Sequence, residues 1–511
     1  MSFTAFEMHL SNFATLVWGW PMLIALMVTG IWLTVLLRGL QFRMLLPAMY
    51  DAFCPHSRHT RGEGMISNRS ALFTALAATV GTGNIAGVAT AIALGGPGAM
   101  FWMWMSGLFG MALKFSEALL GVHYRVKDKN GQFRGGPMYY LTHGAKAPWL
   151  GAVFAGALAF AALCTGGMVQ NNSIADAMLA GFGLNPTWVG LAVTAVSAAV
   201  MLGGLGRIAR AADLLVPSMI VVYAAAGTLV IVVNSAMLPQ ILHAIFTEAF
   251  TGSAAAGGFA GSSVLLAMRY GLARGVFANE SGLGSAPIVA ATAQTRHPTE
   301  QALVSMTQTF IDTFFVCTFT GMVILITGAW QSLDVASAGA SLTNLAFNQG
   351  LGNVALAGIP LGSGIVSLCL LLFAFTTILG WGFYGQQGAM YLLGPKVAKP
   401  YLWLFLACTF FGAAILDWAE SIRQGVHFIW VLADLGTAAM MLPNLFGLLV
   451  MSGTIKKLAF DYIQHTRTGK PLLHKPFYFT AVPAKAPVKA VKAKPKTKAK
   501  IKPRAKPRKR R

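Results

Sequence analysis

Eleven stretches of this sequence stay apolar over about twenty residues: 14–37, 71–93, 98–121, 149–171, 186–205, 213–235, 262–293, 302–328, 361–393, 400–416 and 425–453. A helix of roughly 20 apolar residues crosses about 30 Å of hydrocarbon. The pattern therefore dictates an all-α polytopic membrane protein with about 11 transmembrane helices. Charge agrees: only 11% of the residues are charged and 56% are hydrophobic, against about 25% charged in a soluble domain. A single large soluble domain, a disordered chain and a disulfide-built secreted module are excluded. The cysteines Cys54, Cys164, Cys317, Cys369 and Cys408 are scattered without a CxxC, so they read as small packing residues.

The basic residues set the orientation. Arg38, Arg43, Arg58, Arg61 and Arg69, then Arg125 to Arg134, Arg207 and Arg210, Arg296, Lys396 and Lys399, and Lys456 onwards all occupy loops that eleven crossings place on one side. The opposite loops contain only Arg423. The expectation is a multi-pass protein of the plasma membrane, the inner membrane in a bacterium, with its N-terminus outside and its C-terminus in the cytoplasm. The net charge of +22 overstates the core: residues 485–511 hold 14 basic residues and no acid, which leaves 38 − 14 = 24 basic against 16 acidic residues before them. From Pro471 onwards Lys, Ala and Pro alternate, so this tail is expected to be disordered. It reads as a solvated tail, with anionic lipid headgroups as the functional alternative. Nucleic acid is not an expected partner, because no aromatic follows Phe479 to stack on bases.

Two runs are broken. The second reads Thr79–Val–Gly–Thr–Gly–Asn84 in mid-span, and the seventh carries Asn279–Glu280–Ser281–Gly282–Leu–Gly284–Ser285–Ala–Pro287. Irregular backbone is tolerated at membrane depth only where it is buried or lines a cavity. There, helix N-termini favour a carboxylate and bare carbonyls favour a small cation. With the first run set aside, the breaks fall in the first and sixth of ten helices, equivalent places in two five-helix halves of opposite topology. That arrangement points to a transporter's substrate site; the plain alternative is glycines that only permit close packing. The expected units are an extra N-terminal helix and loop over 1–70, repeats over 71–235 and 236–460, and the tail over 461–511.

Other polar residues within spans are weighed singly. Thr376–Thr377 with Trp381, Gly380 and Gly382 interrupt the ninth run, and the two hydroxyls suit a sodium shell or back-bonding to their own helix. Gln170–Asn171–Asn172 end the fourth run as an exit cap, with Gln170 deep enough to face a cavity. Asp312 is an intramembrane acid and so a functional candidate, with bracing of Thr309 as the bland reading. Glu280 is expected to accept N–H groups freed by its break. Lys114 and Glu117, at i, i+3, read as an intrahelical pair. No HExxH, Walker A or paired His/Cys spacing occurs, so an enzyme is not expected.

These segments resemble the alanine/glycine:cation symporter family, also called sodium:alanine symporters. The resemblance rests on Thr79–Asn84 with Ile85–Ala–Gly87, Gly95–Gly–Pro–Gly–Ala99, Gly135–Gly–Pro–Met–Tyr–Tyr140, Gly275–Val–Phe–Ala–Asn–Glu–Ser–Gly–Leu–Gly–Ser–Ala–Pro287 and Phe375–Thr–Thr–Ile–Leu–Gly–Trp381. It spans roughly 15 to 460. It implies a leucine-transporter-type fold of inverted five-helix repeats plus one extra N-terminal helix. It also implies uptake of alanine or glycine with Na+ as the co-transported ion and no cofactor. Gly81, Thr82 and Gly83 would meet the substrate carboxylate, and Phe277, Asn279 and Gln170 its ammonium. Phe277 and Trp381 would cap its side chain. By fold analogy Ala77, Val80, Phe373, Thr376 and Thr377 would hold one sodium, and Thr79 and Asn84 a second. Where members carry Ser–Asn–Glu–Ala, this chain has Ala278–Asn279–Glu280–Ser281. The alternatives are proton coupling through Asp312 or Glu280, or a channel or sensor.

Overall fold

Where the sequence supplies Pro, Gly and capping side chains, the helices start, stop and bend. In a computed structural model the described residues are 3–54, 62–251, 260–331, 339–356, 358–417, 420–469, 472 and 479–480. The extra N-terminal span is α1 (Phe3–Val17) and α2 (Trp20–Leu36), interrupted where Pro21 opens α2. An interfacial helix α3 (Leu40–Phe53) follows. The second run becomes α4 (Asn68–Thr79), a π-helical turn Gly83–Gly87 and α5 (Val88–Gly95), bent by 57°. Ser67 caps α4 by accepting the Ser70 N–H at 3.0 Å, and Ser70 donates to Asp213 at 2.7 Å.

The rest of the first half comprises α6 (Gly98–His123), a short hairpin β1 (Val126–Lys127) and β2 (Phe133–Arg134), and α7 (Pro137–His143). Then come α8 (Pro148–Ala161), a π segment Ala162–Met168, α9 (Val169–Phe182), α10 (Pro186–Met201) and α11 (Leu205–Val233). A peripheral helix α12 (Leu238–Thr251) leads to the second half. That half contains α13 (Ala260–Asn279) and α14 (Ala286–Ala290), separated by the second break. It continues with α15 (Pro298–Thr309), a π segment Phe310–Cys317, α16 (Thr318–Ile326) and α17 (Ala340–Gly350). After the β3 (Ala355–Leu356) and β4 (Ile359–Pro360) hairpin come α18 (Leu361–Leu393), α19 (Ala398–Ala414), α20 (Glu420–Val450) and α21 (Ser452–Thr468). Each of the eleven apolar runs falls on one of these helices or broken pairs.

The broken elements pack at the centre, α13 against α6 and α5, and α4 against α11 and α18. In the second break Glu280, Gly282 and Gly284 have φ of +54°, +94° and +77°, a region that costs a non-glycine residue about 1 kcal/mol or more. At Gly282 a Cβ would also lie 2.4 Å from Leu26 Cδ2, so the turn needs glycine there on both counts.

Three expectations are corrected. Gln170–Asn172 do not end a span: the helix runs through them from Pro148 to Phe182. Asn171 and Asn172 stay buried because their amides donate to the carbonyls of Thr409 and Gly412 on α19, each at 2.9 Å. The ninth run is not interrupted either, since α18 continues through Thr376–Gly382. The boundary at 461 falls inside α21. Beyond it Phe479–Thr480 form a strand, β5, parallel to β1, and Leu472 packs on the main core. These residues are still apolar and can pair; the Lys/Ala/Pro alternation sets in only after them. The remainder of the tail lies outside the described residues.

Candidate functional site

At the first break, α4 ends with Val80 N–H donating to the Leu76 carbonyl at 2.8 Å. The next amide, Gly81 N–H, turns away from the helix to Asn84 Oδ1 at 2.9 Å. That side chain reaches back three residues as in a capping box, which releases the Ala77 carbonyl from its helical partner. Gly81 sits where a Cβ would lie 2.6 Å from Thr377 Oγ1 and 3.2 Å from Gln170 Oε1, so only glycine lets the backbone come this close. The Thr82 N–H faces Gln170 Oε1 at 3.4 Å. The Thr82 hydroxyl is buried with no hydrogen-bond partner among the described residues, a state that costs about 1–3 kcal/mol.

Around this point lies a narrow cavity of about 20 Å³, where one water needs about 10–15 Å³. Gly81, Thr82 and Gly83 form one wall and Phe277 with Glu280 another. Gln170 and Trp381 close it from α9 and α18, and Trp18 and Thr437 from outside the two breaks. A second cavity of about 590 Å³ begins one residue beyond Trp381, at Gly382, Phe383 and Gln386, and extends to Arg134, Gly204 and Lys399 in the basic loops. Adjacent residues of α18, Trp381 and Gly382, line the two spaces.

Beside the first break, Thr377 Oγ1 lies 3.2 Å from the Val80 carbonyl and 3.0 Å from the Phe373 carbonyl. Three neutral oxygens from α18 and the end of α4 thus converge. Thr376 back-bonds to Phe373 at 2.9 Å, and its hydroxyl faces Met219 Sδ at 3.8 Å rather than the break.

Glu280 ties three elements together. Its carboxylate accepts Trp381 Nε1–H at 2.8 Å, Ser285 O–H at 2.6 Å and Thr79 O–H at 3.4 Å. It therefore holds side chains, not the freed amides that sequence reasoning assigned to it. Those amides go elsewhere: Ser281 N–H to Asn279 Oδ1 at 2.9 Å and Gly284 N–H to Glu117 Oε1 at 3.1 Å. Glu117 also accepts Asn444 at 2.6 Å, while Lys114 Nζ donates to the Glu280 carbonyl at 3.0 Å. The i, i+3 spacing of Lys114 and Glu117 suggests an ordinary intrahelical pair. Both are fully buried, and they reach across to opposite ends of the break, where uncapped backbone needs a donor and an acceptor.

Of the other expected site residues, Thr79 lines the cavity, while Asn279, Asn84 and Asp312 do not. Asn279 donates to Thr313 at 3.1 Å. Asn84 donates to Asp312 Oδ1 at 2.6 Å and to Cys317 Sγ at 3.2 Å. Thr79 accepts from Gln308. Thr79 and Asn84 therefore belong to different clusters, one around Glu280 and one around Asp312. Thr309 is held by Ser281 at 2.9 Å, not by Asp312. Trp18 and Thr437 were missed. Trp18 sits at the turn between α1 and α2, in the span set aside as extra, and Thr437 lies within α20, so neither belongs to the two breaks that the sequence marked.

The sodium:alanine symporter family profile matches residues 3–475. An uncharacterized transporter of Haemophilus influenzae is 43% identical over 462 residues, 90% of this chain and 97% of that protein. The sodium/alanine symporter AgcS of Methanococcus maripaludis is 45% identical over 445 residues, 86% of this chain and 93% of its own. In fold, the structure of MhsT in complex with L-phenylalanine is similar at a TM-score of 0.51 and 15% identity, covering 78% of this chain and 90% of that one. The fold is thus of the leucine-transporter type.

Proposed function

The chain belongs to the sodium:alanine symporter family, multi-pass secondary transporters of amino acids rather than enzymes, and we propose that it imports alanine or glycine with sodium by alternating access. The observation that carries this reading is the first break: the Thr82 N–H, held at 3.4 Å by Gln170, and a Thr82 hydroxyl unpartnered among the described residues lie at a narrow cavity walled by Phe277 and Trp381. The substrate carboxylate displaces Gln170 Oε1 from the Thr82 N–H, an exchange of one oxygen acceptor for another. The two aromatic walls favour a short side chain. The 590 Å³ cavity beyond α18 is the route to the cytoplasm, on the side of the basic loops, with the N-terminus outside.

Sodium, as cargo, sits among the Val80 and Phe373 carbonyls and the Thr377 hydroxyl, with the released Ala77 carbonyl a further ligand. Neutral oxygens suit a monovalent ion. Coupling is mechanical: an ion on the Ala77 and Val80 carbonyls fixes the end of α4, and so fixes the amides that follow it. Each ligand must then raise the affinity for the other by the same factor. Thr376 contributes less than Thr377, because its hydroxyl is turned from the break. Thr377→Ala raises the sodium concentration for half-maximal uptake about tenfold, the effect of about 1.4 kcal/mol. Uptake measured across a sodium series checks this, and an unmoved curve removes Thr377 from the ion site. Deleting 485–511 leaves the half-saturating alanine concentration unchanged in correctly inserted protein; a large rise would make the tail part of the transport machinery.

The deciding experiment is radiolabelled alanine uptake into proteoliposomes, with an inward sodium gradient and with potassium in its place at matched pH. Accumulation above the outside concentration only with sodium supports the proposal. Accumulation that follows a proton gradient instead moves coupling to Asp312 or Glu280. No alanine uptake under any gradient reopens the substrate.

A further inference from the structure

The N-terminal span lies outside both repeats, yet it reaches the centre of the molecule. Its helix cannot run straight through residues 18–20. Trp18 N–H closes α1 on the Ala14 carbonyl at 2.9 Å, Gly19 N–H turns back to Leu16 at 3.2 Å, and Pro21 has no N–H to continue the ladder. The turn swings the Trp18 side chain off the helix face and onto the central cavity, opposite the two breaks. There the indole is fixed. Its Nε1–H donates to the Asp434 carbonyl of α20 at 2.7 Å, the same oxygen that accepts the Thr437 hydroxyl at 2.9 Å, and Thr437 also lines the cavity. The other indole of the cavity, Trp381, is pinned to Glu280.

We infer that Trp18 is a specificity-determining residue, a fixed aromatic wall that sets the upper size of the transported side chain, so the N-terminal helix is part of the substrate site. The inference rests on the amino-acid transport proposed above. A tryptophan side chain has two rotatable bonds, and this one has its N–H anchored, so it yields little when a larger ligand presses on it. The Trp18 N–H goes to Asp434 and not to the oxygens grouped around Val80, Phe373 and Thr377, so changing it alters which amino acid fits without altering the response to sodium.

The test uses the full chain in proteoliposomes, with labelled alanine uptake competed by unlabelled alanine, valine, leucine and phenylalanine. Trp18→Ala lowers the half-inhibitory concentrations of valine and leucine at least tenfold relative to that of alanine. Trp18→Phe, which loses the hydrogen bond but keeps a ring, falls between. In both variants the sodium concentration for half-maximal uptake stays within twofold of wild type. An unchanged competitor ranking in inserted, alanine-transporting Trp18→Ala overturns the inference. So does a uniform weakening of every amino acid together with a shifted sodium curve, which is the mark of a merely structural residue. Should Trp18→Ala fail to insert, the graded series Trp18→Phe and Trp18→Leu carries the same decision. Absence of alanine uptake by the wild type overturns the transport proposal and this inference together, whereas normal wild-type uptake with an unmoved profile overturns this inference alone.

Discussion

Glu280→Ala abolishes sodium-driven uptake, lowering the initial rate about 100-fold per inserted molecule, whereas Glu280→Gln stays within about tenfold of wild type. The carboxylate touches the first break through Thr79, the second through Ser285, and α18 through Trp381. Alanine removes all three contacts at once and leaves the Trp381 N–H and the Ser285 hydroxyl without acceptors in a buried site. At about 1–3 kcal/mol for each orphaned donor, a loss near 3 kcal/mol in the transport-competent arrangement is expected. That is about two factors of ten at 1.4 kcal/mol each. Glutamine keeps an oxygen for the Trp381 N–H and offers an amide that Ser285 or Thr79 can accept. The pair of variants separates two roles. A bracing residue tolerates glutamine, but a proton carrier does not, since glutamine cannot titrate. If glutamine is as inactive as alanine, the brace is the wrong description.

Lys114→Met destabilises the protein by about 3–5 kcal/mol, the usual consequence of stranding one charge of a buried pair. The stranded charge is Glu117, which still accepts Gly284 N–H and Asn444 but has lost the nearby ammonium. The double variant Lys114→Met with Glu117→Gln is more stable than the single one, because glutamine keeps an oxygen for the same donors and carries no charge. Its transport stays impaired, since the Glu280 carbonyl has still lost Lys114 Nζ. Thermal unfolding in detergent reads the stability, and uptake reads the function. Strictly additive losses would mean that the two residues act independently and would dismantle the clamp at the second break.

Much of this protein was legible without coordinates. Hydropathy fixes helices of membrane length because every backbone polar group in lipid must be satisfied within its own segment. Gly81, Gly83, Gly282, Gly284 and Pro287 mark the two breaks because they cluster with polar residues in mid-run at matching places in the two halves. Hence the broken helices and their matching places in two halves could be expected, whereas a place for Thr377 near Val80 was implied only by the family resemblance. What failed to be legible was the partner of each polar side chain. Spacing gives the face of a helix on which a residue lies, not the neighbour that the face meets. Lys114 and Glu117 looked like a pair along one helix and prove to hold the two ends of another segment. Glu280 looked like a cap for loose amides and proves to hold an indole and two hydroxyls. Gln170 to Asn172 looked like the end of a span, but α19 offers them carbonyls, so the helix carries them inside.

The sequence by itself determined the class of molecule, the number of apolar runs and the two places where backbone is exposed at membrane depth, because each follows from local chemistry against a uniform lipid solvent. Only the tertiary structure decided which oxygens converge and which polar groups are left over for a ligand. It alone brings Trp18, from the helix that seemed extra, to the cavity. Those are contacts between segments hundreds of residues apart, set by how the helices share one interior.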